Sequence, residues 1–197
     1  SIHYFLPASL LCRLSFFTLG FIVPLLMQTT YHMSAFHSGL VMIFSALGAG
    51  TSKIFIKPAC RRFTAHKLSI IFLSVSVIGF WTLAVFASHF IIPLLCLNMY
   101  ILGTCMGFSF SLINVQFYQT LDGDLQSEGV TANSAIIQLG ASFAIAIAAL
   151  LLIALKGYHQ SPQHVFHALT FSHTILLESL FLILSKMYNP RPLLNHL

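Results

Sequence analysis

Charge is what this sequence has least of. Asp, Glu, Lys and Arg make up 7% of its 197 residues, where a soluble domain carries about 25%. That deficit excludes a soluble core under a polar coat. Acids are scarcest of all, with four against nine Lys and Arg. Cysteine is sparse too. Cys12, Cys60, Cys96 and Cys105 form no CxxC pair and match no zinc spacing, and three of them lie in apolar runs as small packing residues. The ten His are scattered, without HExxH or another metal pattern. GxSxG, a P-loop and paired carboxylates at useful spacing are all missing, so the sequence offers no enzyme chemistry and implies no cofactor and no metal. The first apolar run is longer than a signal peptide's and lacks an A-x-A-like cleavage site. A start at Ser1 suggests an expression product, a processed chain or a fragment.

What is there is grease. Hydrophobic residues make up 57%, and the mean hydropathy is +0.89. A helix needs about 20 apolar residues to cross the hydrocarbon core. Six runs meet that test, over about 4–29, 37–57, 67–88, 91–118, 130–155 and 167–187. Helices are expected rather than barrel strands, because "IIQLGASFAIAIAALLLIAL" shows no alternation and its backbone must be satisfied internally. The sequence thus predicts an all-α, multi-pass membrane protein with the lipid bilayer as its solvent.

The net charge of +5 would suggest nucleic acid in a soluble protein. Here the cations flank apolar runs, so they read as topology and no nucleic-acid partner is implied. Five of the nine Lys and Arg cluster as Lys53, Lys57, Arg61, Arg62 and Lys67, expected as the loop between the second and third helices. The positive-inside rule makes that loop cytoplasmic. Six crossings then put both termini in the cytoplasm, and the outward loops carry one cation, Lys156. The inward stretch "LDGDLQSEG" holds Asp122, Asp124 and Glu128. It reads as a helix start, with Ser127 as a candidate N-cap and acids at the positive end of the dipole, or as a partner for the basic loop.

Polar groups inside the membrane are expensive and are candidates for function. Arg13 lies in the first run and Glu178 in the sixth, each roughly 12 Å from the cytoplasmic end at 1.5 Å per residue, an equal depth that permits the two to pair. Arg13 is either a functional cation or a side chain snorkelling to the headgroups. Glu178 is either a proton-titrating group or a paired structural acid. The fourth run carries Asn98, Asn114, Gln116 and Gln119, with Gly103 and Gly107 spaced for close helix approach. Asn114 and Gln116 either line a cavity or bond between helices. In the fifth run, Ala132, Ala135, Gly140, Ala144 and Ala148 permit tight packing, and Gln138 is the polar residue best suited to face water.

Three stretches carry a resemblance. "SAFHSGLVMIFSALGAGTSKIFIKPACRRF" resembles the C-terminal half of major facilitator transporters. "GTCMGFSFSLINVQFYQTLDGDLQSEGVTANSAIIQLGASFAIAIAALLL" is similar to a cavity helix, acidic loop and following helix of the drug/proton antiporters of the EmrB/QacA subfamily, nearest its MdtD-like members. "CRLSFFTLGFIVPLLMQ" resembles that half's first helix, including an Arg at Arg13. Departures are mild: Ala65 stands where the family often has a turn glycine, or the turn is built differently, and Ala141 and Ala144 stand where Gly is common.

The resemblance spans almost the whole chain and implies that residues 1–197 are one six-helix half-bundle of that fold. It implies proton-coupled efflux of small lipophilic, often cationic, molecules by alternating access in a bacterial inner membrane. Arg13, Asn114, Gln116 and Gln138 become substrate-cavity candidates and Glu178 a proton-coupling candidate, although the resemblance sets the sixth helix at the periphery. The N-terminal half such transporters need is not in this sequence. The implied partners are therefore that half or a second copy, protons and a small-molecule substrate. The alternatives are a stand-alone six-helix membrane protein and an inactive fragment of a broken transporter gene.

Overall fold

The computed structural model describes residues 2–89, 91–118 and 126–157. They form five α-helices: α1 (Ile2–Thr30), α2 (Ala35–Arg62), α3 (Ala65–His89), α4 (Ile92–Tyr118) and α5 (Gln126–Gly157). Each is long and apolar enough to cross a membrane, as the runs of apolar residues require. The chain is a multi-pass membrane protein. The sixth expected span at 167–187, with Glu178, and the acids Asp122 and Asp124 lie outside the described residues.

The turns are built from local chemistry. After α1, His32 takes a left-handed conformation at φ 51°, and the Met33 amide returns to the Met27 carbonyl at 3.1 Å. Ser34 then caps α2, its hydroxyl accepting from the His37 amide at 3.3 Å. Between α2 and α3 only Phe63 and Thr64 are non-helical. Phe63 is extended (φ −131°, ψ 150°), and the Thr64 hydroxyl accepts from the Lys67 amide at 3.4 Å. No left-handed residue is needed there, which explains why Ala65 can replace a turn glycine.

This turn corrects one expectation. The basic cluster does not fill a loop: Lys53, Lys57, Arg61 and Arg62 lie on α2 and Lys67 on α3. Apolar composition marks where the hydrocarbon ends, but the helical hydrogen bonds continue into the headgroup layer. Cations in a last turn also suit the negative end of the dipole. Ser127 likewise falls inside α5, which starts one residue earlier, and Glu128 sits in its first turn.

Burial shows which helices are central. Within their membrane spans α1 is 56% buried and α4 50%, against 17% for α2 and 22% for α5. Both α2 and α3 pack along α4, while α1 packs on α5 and also reaches α2 and α4. The α2–α4 crossing is close because Gly48 and Gly103 face backbone. A Cβ on Gly48 would run into the Tyr100 carbonyl, and one on Gly103 into the Ser45 carbonyl. Side chains then lace the pair, with Tyr100 donating to Thr51 at 3.1 Å and Lys53 to Ser111 at 2.7 Å. The core between α1, α3 and α4 is apolar, centred on Cys12, Phe16, Val23, Met27, Leu83 and Met99.

Candidate functional site

A polar cluster forms where α1, α4 and α5 meet. On α1, Ser9 and Arg13 are four apart and so share a face. The Arg13 Nε donates to Ser9 Oγ at 3.2 Å. Its Nη2 donates to Asn114 Oδ1 on α4 at 3.4 Å. The guanidinium carbon sits 5.0 Å from the centre of the Phe110 ring, within cation–π range. Phe110 is itself held edge-on by Phe16 at 5.8 Å and lies beside Phe17 at 6.0 Å.

Phe110, Asn114 and Tyr118 repeat every four residues, so they form one stripe along α4. From α5, Asn133 reaches that stripe. Its Nδ2 donates to Asn114 Oδ1 at 3.2 Å and to the Tyr118 hydroxyl at 3.1 Å. One carbonyl oxygen, Asn114 Oδ1, therefore accepts from two other helices at once. Gly140 lets α5 come this near, since an added Cβ would lie 3.2 Å from the Cβ of Arg13. Ala144 and Ala148 continue that buried face against α1, whereas Ala132 and Ala135 are exposed.

Arg13 is 3% exposed. Its side chain is enclosed between helices rather than extended over the surface, and among the described residues its hydrogen-bond partners are neutral. Among the described residues, that charge is held by oriented dipoles and an aromatic face.

The sequence candidates divide. Arg13 and Asn114 come together. Gln116 does not join them: two residues along a helix is about 200° of rotation, and its Nε2 donates to Ser69 on α3 at 3.2 Å. Gln138 is exposed on α5, turned away from the buried Gly140 by the same two-residue step. Glu178 lies outside the described residues. Sequence reasoning missed Ser9, Phe110, Tyr118 and Asn133 as members of the cluster. The four-residue spacings from Arg13 and Asn114 point to the first three. Asn133 sits seven residues before Gly140, on the same face of α5.

The rest of α4 uses its polar groups differently. Asn98 is buried, and its Nδ2 donates to the Gly79 carbonyl of α3 at 2.9 Å while its Oδ1 accepts from Thr82 at 3.3 Å. These bonds tie α3 to α4 pair by pair.

Comparison with known proteins adds the context. The family model described as Major Facilitator Superfamily matches residues 5–192. The chain is 28% identical over 169 residues to the "Putative multidrug resistance protein MdtD" of Escherichia fergusonii, covering 84% of this chain and 35% of that protein. The protein of that name in Escherichia coli O6:H1 is 29% identical over 146 residues, covering 73% and 30% respectively. The chain spans about a third of the length of these curated relatives. No solved structure matches it.

Proposed function

The chain belongs to the Major Facilitator Superfamily, and from that premise we propose that residues 1–197 act as the C-terminal six-helix half of a drug:proton antiporter. The subfamily in this reading is EmrB/QacA, nearest the MdtD-like members, and the location a bacterial inner membrane. The sixth helix is the run at 167–187, and both termini are cytoplasmic. The partner is an N-terminal half, or a second copy in its place. Small lipophilic molecules cross by rocking of the two halves about a site near the midplane, with protons as the coupling ion and Glu178 as the residue to test for coupling. The relatives' name, "Putative multidrug resistance protein MdtD", supports drug efflux as the activity.

One observation carries the reading. A membrane-embedded arginine is enclosed by three helices and tied to Asn114, which also holds Asn133. Intramembrane polar residues that converge in this way mark substrate pathways. Arg13 and Asn114 form the cavity side, and exposed Gln138 faces the other half. Gln116, bonded to Ser69, serves as a strut between α3 and α4.

Two experiments test it. A tag after Leu197 and a denaturing blot of native membranes should reveal a product well above the 21.8 kDa of this chain. A band at the chain's own mass overturns a covalently joined N-terminal half and leaves a second copy as the partner to test. Arg13→Ala in the intact protein should abolish efflux while membrane insertion persists. Unchanged efflux returns Arg13 to a structural role.

A further inference from the structure

Resting on the reading of the Arg13 cluster as a cargo site, we infer that it selects lipophilic carboxylates rather than cations. The resemblance to drug antiporters implied cargo that is often cationic. The charges at this site point the other way.

The site has one formal charge among the described residues, and it is positive. Arg13 meets Ser9 Oγ, Asn114 Oδ1 and the face of Phe110, none of which carries a charge. The one acid among the described residues, Glu128, is exposed in the first turn of α5. A guanidinium has five N–H donors. Two are engaged here, so three have no acceptor among the described residues. The planar fork is already oriented, with Nε fixed by Ser9 and one Nη by Asn114. An arriving carboxylate could take the remaining donors two at a time, the geometry for which arginine is suited.

Energetics favour the same sign. A buried charge without a counter-ion is an unfavourable arrangement that a ligand anion relieves. Attraction between opposite charges is strongest where water is excluded. A cation entering the same place would lose its hydration and meet repulsion. The surroundings define the rest of the ligand. Phe110 and Tyr118 line the same stripe of α4, Phe17 stands beside Phe110, and all three are half-buried. An aromatic or otherwise flat apolar body fits such walls, and the amide of Asn114 and the hydroxyl of Tyr118 offer polar contacts at its edge.

The test uses three probes with one body: 2-naphthoate, 2-naphthamide and 2-naphthyl-trimethylammonium. Binding to the full chain is measured by calorimetry in phosphatidylcholine nanodiscs, which present no anionic lipid to compete. Naphthoate should bind about tenfold or more tightly than naphthamide, as a charge-assisted bidentate contact predicts, and the ammonium should bind weakest. Arg13→Gln should bring naphthoate to the naphthamide level, and Arg13→Lys should keep part of the preference. Asn114→Asp seats a carboxylate on Arg13 within a folded protein and should erase the preference by occupying the site. Equal binding of the three probes, no binding of any, tighter binding of the ammonium, or a preference that survives both Arg13→Gln and Asn114→Asp overturns the inference. Failure of vectorial transport with the naphthoate preference intact would overturn the transporter reading alone.

Discussion

The two faces of α4 use the same kinds of residue for opposite purposes. Toward α2 and α3, polar side chains bond across to neutral groups: Asn98 with Gly79 and Thr82, Gln116 with Ser69, Tyr100 with Thr51; the buried Ser109 hydroxyl has no partner among the described residues. These partners are neutral, the one cation among the described bonds there being exposed Lys53 on Ser111, and the helices close on glycine. Toward α1 and α5, a single amide oxygen gathers donors from two helices, and one of them is a cation. Paired neutral bonds hold helices together in a solvent where hydrophobic attraction between helices is weak. A shared acceptor beside a cation with no acid partner among the described residues has bonding capacity left over for something else.

The comparison breaks most visibly on the glued face. Gly103→Leu places a side chain against the Ser45 backbone, which cannot yield as a side-chain tip would. Overpacking of this kind costs about 1–3 kcal/mol, and a clash with backbone belongs at the upper end. Denaturation in detergent should show that loss, and a stability within about 0.5 kcal/mol of wild type would mean the crossing is looser than described.

Asn114→Ala attacks the other face. It strips the shared acceptor from Arg13 and Asn133 together. Leaving buried donors unpaired costs about 1–3 kcal/mol. Efflux in the intact transporter should also fall by about tenfold, the equivalent of 1.4 kcal/mol. A stability loss with efflux unchanged would move Asn114 to the glue side of the comparison.

How far the sequence carried these assignments follows from which physics is one-dimensional. Helix positions were legible because a span is a length requirement, and α1, α3, α4 and α5 match the apolar runs to within a few residues. The end of α2 was not, because Arg61 and Arg62 extend the same hydrogen-bonded helix past the apolar boundary. Asn114 and Gln116 carry the same two readings in the sequence, cavity or interhelical bond, yet each residue turns the helix by about 100°, and so they serve different partners. Arg13 stood out because charge in an apolar run is conspicuous. Asn133 did not, because among the small residues of "TANSAIIQLG" its partner on α4 depends on which helices meet. That is a property of the packed chain and not of one segment.

Asn98→Leu sharpens the comparison at a smaller scale. It removes one buried interhelical bond to Gly79 and the contact with Thr82. Interhelical polar bonds in membranes contribute about 0.6–2 kcal/mol, so about 1 kcal/mol of stability should be lost. Binding of naphthoate should be unchanged, because Asn98 lies four turns of helix from Asn114 along α4. A change in binding would show that the two faces are coupled.

The smallest effects come from two glutamines, and they should be mirror images. Gln116 is half-buried and bonds Ser69 on α3. Gln138 is exposed on α5. Gln116→Leu therefore removes one interhelical bond and should cost about 0.6 kcal/mol, the average for such bonds, with efflux at the wild-type level. Gln138→Leu removes no bond described in this chain, and a surface change of that kind should leave stability within about 0.5 kcal/mol. If its face meets the other half of a transporter, efflux should nonetheless fall by roughly threefold, because a polar group in a water-lined path is replaced by an apolar one. Melting curves and transport rates on the two variants read the two quantities separately. Should Gln116→Leu also lower efflux, α4 would not divide into a structural and a functional side; should Gln138→Leu leave efflux unchanged, Gln138 would have no role in the path.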